Sequence, residues 1–135
     1  MAAGRALGKA VAVTEFGCAS HRGAADLGGS ELSSIEWGAD GRPIRLTAEY
    51  VRDEDEQARH LRELLKVFDA EGVDGAFVYT FARYDLPHRS DPHEDFDLVS
   101  RGVVRVLEDR SGQPYAGMPW EPKAAFTALA EYYHG

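Results

Sequence analysis

The chain is poor in cysteine: among 135 residues only Cys18 carries a thiol, which rules out an internal disulfide and a multi-cysteine zinc site. It also lacks any run of Lys or Arg. With 15 basic against 23 acidic residues the net charge is −8, so the electrostatic footprint of a nucleic-acid binder is missing and no nucleic-acid partner is expected. Long hydrophobic runs are absent as well. The stretch Met1 to Ala12 holds Arg5 and Lys9 but too few apolar residues for a signal peptide or a membrane span, so no membrane partner and a cytoplasmic location are expected. What remains is ordinary globular usage, 44% hydrophobic and 28% charged, at a length that suits a single domain over 1–135.

The apolar segments have a clear order. Lys9 to Gly17 is a short run rich in β-branched residues and closed by glycine, as in a buried strand, and strict alternation puts Val11, Val13 and Glu15 on one face and Ala12, Thr14 and Phe16 on the other. From Cys18 to Arg52 glycines at 23, 28, 29, 38 and 41 make a long loop. Within it, Ser34 to Trp37 and Pro43 to Leu46 flank a Gly38-Ala39-Asp40-Gly41 turn and predict a small hairpin.

Asp53 is placed to cap a helix, with Glu56 three residues on. Ala58, Leu61, Leu65 and Phe68 then recur at helical spacing until Gly72, and Glu54, Arg59, Glu63 and Lys66 form the face expected to meet solvent. Gly75 to Phe81 predicts a second strand, giving strand, helix and strand as a parallel βαβ unit. A polar loop, Ala82 to Ser100, leads to an extended run at Gly102 to Leu107 and a turn at Asp109 to Gln113. Pro122 suits the first position of a last helix, with Phe126, Leu129, Ala130 and Tyr133 as its buried stripe.

Two strand ends carry a resemblance. Thr14-Glu15-Phe16-Gly17 is similar to the seventh strand of retaining glycoside hydrolases with (β/α)8 barrels, and Gly75 to Phe81, containing Tyr79, resembles their eighth strand. Met118-Pro-Trp-Glu-Pro-Lys123 resembles the approach to their last helix. More narrowly, this segment, Arg22-Gly-Ala-Ala-Asp26 and Tyr50-Val-Arg-Asp-Glu54 resemble the carboxyl third of actinobacterial proteins labelled abortive-infection proteins. The resemblance implies an α/β fold of a particular kind: a partial (β/α)8 TIM barrel comprising its last two βα units, with the long loop and short hairpin between. It further implies Glu15 as the nucleophilic carboxylate, with Tyr79, Arg83, His21 and His88 around a carbohydrate or glycoside. No cofactor and no metal are implied.

Retaining hydrolysis needs a second carboxyl group about 5 Å from the first. No residue of this chain has the context of that proton donor, so the chain alone is expected to be inactive. The alternative is a non-catalytic carbohydrate- or partner-binding α/β module. Other readings of the residues stay open: Glu15 held by a local hydrogen bond or by Arg83, Cys18 as a small buried residue instead of a thiolate beside His21, and Trp37, Tyr84, Tyr115 and Trp120 as sugar platforms or core. The acidic loop from Arg83 to Asp97 matches neither a calcium loop nor a two-histidine helix pair. Strands without neighbours would leave open edges and apolar faces, so self-association is expected.

Overall fold

The computed structural model describes residues 10–27, 30–108 and 112–134. Strand β1 (Ala12–Phe16) pairs in parallel with β4 (Gly75–Val78), and helix α1 (Glu54–Ala70) lies between them in the chain. β2 (Ile35–Trp37) and β3 (Pro43–Leu46) form the antiparallel hairpin around the Asp40-Gly41 turn. β5 (Val104–Val106) pairs antiparallel with β6 (Trp120–Pro122), and α2 (Ala124–His134) follows. The turn expected at Asp109 to Gln113 lies partly outside the described residues, as do Lys9, Gly28 and Gly29.

The partial (β/α)8 barrel is corrected by this topology. A barrel needs one continuous, regularly staggered ring of parallel strands. Here the strands divide among three separate two-stranded sheets, two of them antiparallel, and none closes. The chain is a small mixed α/β fold.

Local chemistry explains the elements. The Asp53 carboxylate accepts the Glu56 amide at 3.0 Å and caps α1, while Ala58, Leu61, Leu65 and Phe68 turn its apolar stripe inward. Along β1 the expected alternation fails because the ladder slips by one residue between Val13 and Phe16. The bulge carries Phe16 to the side where Val13 already packs, and its ring meets Phe68 edge-on at 5.1 Å. Gly17 follows with φ +134°, and a Cβ there would sit 3.0 Å from the Tyr79 carbonyl oxygen, so glycine ends the strand for both conformational and steric reasons.

Three further expectations change. Glu54 is only partly exposed, since its carboxylate takes bonds from Arg52, Arg105 and the Ala124 amide at the start of α2. Pro122 belongs to β6 instead of opening the helix. The buried face of α2 is Ala125 and Ala128, leaving Tyr133 62% exposed. The polar loop after β4 in turn builds a core of its own: Leu86, Phe96, Leu98 and Val99 pack with Ile35 and Leu46 of the hairpin, separate from the core of Phe16, Leu61, Leu65, Phe68, Val103, Val104 and Trp120.

Candidate functional site

Between the two cores runs a line of ion pairs. Arg52, just before α1, donates to Glu54 at 2.9 Å, to Asp95 at 2.8 Å and to Asp97 at 2.8 Å. The Lys123 ammonium, fully buried, lies 2.9 Å from the other Asp97 oxygen and 3.2 Å from the Ser20 hydroxyl oxygen. Burial pushes the Lys123 pKa down, against the opposing attraction of Asp97. For Asp95, burial works upward, but hydrogen bonds and charge from His88 and Arg52 together hold its carboxyl below the usual value. Every member is taken up by protein partners, so the network ties the loop after β4 to α1 and α2. Composition hinted at neither Lys123 nor Asp97, because nothing local marks a buried ion pair across 26 residues of chain.

The five residues singled out on the sequence are spread over this architecture. Glu15 is exposed at the carboxyl end of β1, and no hydrogen bond or ion pair engages it among the described residues. Tyr79 and Arg83 come together after β4, where Tyr79 adds a minor part to the upward shift of the Arg83 pKa. Arg83 grips Asp85 through two bonds of 2.8 and 2.7 Å, not Glu15. His88 faces the ion-pair line, with its Nδ1 2.9 Å from Asp95 Oδ1. His21 is buried, tilted against the Tyr50 ring at 4.5 Å, with Nδ1 3.0 Å from the Arg22 carbonyl. Cys18 is buried nearby, and Trp120 fills the core, whereas Trp37, Tyr84 and Tyr115 are exposed.

The concavity with the chemistry of a binding site lies elsewhere, between the β2–β3 turn and the loop after β4. It is a groove of ≈ 470 Å³ lined by Arg42, Tyr84, Asp85, Pro87, Arg89 and Glu108 among others. That volume falls in the range of small-molecule sites. Tyr84 is 62% exposed along it. Two fork-to-fork pairs stiffen its walls, Arg83 on Asp85 and Arg89 on Glu108 at 2.8 and 3.2 Å, with Arg89 also 3.1 Å from Glu94. The hydrogen bond from Arg83 holds the Asp85 carboxyl below its ordinary pKa, and that from Arg89 does the same for Glu108. Both carboxylates therefore remain ionised acceptors at neutral pH, with guanidinium donors alongside.

Among the described residues no cluster of three His, Cys, Asp or Glu side chains is placed to hold a metal ion, and no helix is long and apolar enough to cross a membrane. No protein-family model matches the chain, and no curated protein matches it either.

Proposed function

We propose that this chain is a non-catalytic carbohydrate-binding α/β module whose ligand lies in the groove beside Tyr84. The observation that carries the reading is the pairing of an exposed aromatic ring with preorganised forks of charged acceptors and donors. A sugar ring has an apolar face for the tyrosine and hydroxyl groups that donate to Asp85 and Glu108 and accept from arginine. The forks are already formed, so little side-chain entropy is lost on binding. A catalytic reading is favoured by one observation alone, the unengaged Glu15 carboxylate at the end of β1.

Calorimetric titration against a panel of neutral and acidic oligosaccharides separates the two. Binding to one class of glycan, weakened at least about tenfold by Tyr84→Ala and untouched by Glu15→Gln, is the expected result. Release of reducing sugar by the wild-type chain that Glu15→Gln abolishes would establish the catalytic reading instead. Absence of binding to every glycan would remove the carbohydrate assignment.

A further inference from the structure

The opposite side of β4 has a different character. Among the described residues β4 has β1 as its one strand neighbour, so its outer edge is unpaired. Along that edge Phe77 is 63% exposed, and Tyr133 on α2 62%. Two adjoining grooves of ≈ 550 and ≈ 270 Å³ run between the strand and the helix, floored by Val78 and Leu129, and Phe81, 46% exposed, continues the second. Such an edge is a template for strand addition, and native folds ordinarily blunt or cover one.

We propose that a second copy of this chain covers this edge, β4 pairing antiparallel with its own symmetry mate about a two-fold axis. Two features select a second copy over an unrelated partner. The residues lining both grooves carry no charge, so two chains each of net charge −8 meet there without a like-charge pair, and a partner of opposite charge finds nothing to read. The surface also presents an exposed ring, Phe77, at the groove it lines, and pairing about a two-fold axis would offer each copy's ring to the other's groove. The three exposed rings offer roughly 300 Å² per copy, since an aromatic side chain carries about 150–250 Å². Both copies together with the strand backbone and Leu129 approach the lower limit of about 1,000 Å² for a specific interface. The dimer is accordingly a weak one, with dissociation in the micromolar range.

Sedimentation equilibrium of the whole chain from low to high micromolar concentration tests this. The expected result is a monomer–dimer equilibrium whose dissociation constant rises at least about tenfold in Phe77→Asp and, independently, in Tyr133→Lys. Both rings lie outside the core, so circular dichroism and the urea midpoint should match the wild type. If Phe77→Asp fails to fold, Tyr133→Lys alone decides the matter. A wild type that stays monomeric throughout, a dimer that neither substitution weakens, or open-ended oligomers in place of a closed dimer would each overturn the proposal.

Discussion

Lys123 shows how much one buried charge can hold. Its ammonium lies 2.9 Å from Asp97 Oδ1 without hydrogen-bond alignment, and its nearest aligned acceptor is the Ser20 hydroxyl. Removing it leaves a buried carboxylate whose remaining counter-charge is Arg52 on the other oxygen. Breaking a buried pair from one side typically costs about 3–5 kcal/mol, and the surviving Arg52 contact places Lys123→Met near the lower end. Urea unfolding should show that loss, and Lys123→Met combined with Asp97→Leu should recover part of it, because the stranded charge is gone.

Asp95, more deeply buried than Asp85 or Glu108, contributes to the acid limb. Its folded pKa lies below the ordinary 3.8, so the unfolded chain binds the proton more readily. The stability it contributes is complete above 3.8 and is lost as pH falls through the lower folded value. Urea midpoints measured between neutral pH and about pH 2 should fall for the wild type. In Asp95→Asn the limb should be shallower, while an identical limb would place the titrating group elsewhere.

At the scale of elements, legibility followed locality. The Asp53 cap, the apolar stripe of α1 and the Asp40-Gly41 hairpin are written in neighbouring residues, and each forms where the spacing puts it. The parallel pairing of β1 with β4 also follows from strand, helix and strand in order. What depends on partners distant in the chain was not legible. The slip in β1 accompanies the packing of Phe16 on Phe68, and alternation alone carries no sign of it. β6 is three residues long and contains a proline, which by itself reads as a helix start. Glu54 sits on the α1 face that periodicity assigns to solvent, yet Arg52 and Arg105 draw it in. The candidate groove was half visible: Tyr84 stood out as a possible platform, but Arg42 and Glu108 join it only through the fold.

At the scale of the molecule, two apolar cores are bridged by a charged seam. One core joins α1, α2, β1 and β4; the other joins the β2–β3 hairpin to the loop that follows β4. Arg52 is the residue that bonds Glu54 on the first side and Asp95 and Asp97 on the second. Arg52→Met should therefore lower the stability of the hairpin core more than that of the helical core, because Asp95 and Asp97 lose the guanidinium they share while the α1–α2 packing keeps its contacts. Native-state hydrogen exchange reads this directly. Amides of β2, β3 and Phe96 to Val99 should exchange faster in Arg52→Met by more than those of Leu61 to Phe68. The groove beside Tyr84 is walled by the hairpin turn and the same loop, so glycan binding should weaken along with that protection. A uniform loss of protection across both cores would show that the chain opens as one unit and that the seam is not its weak joint.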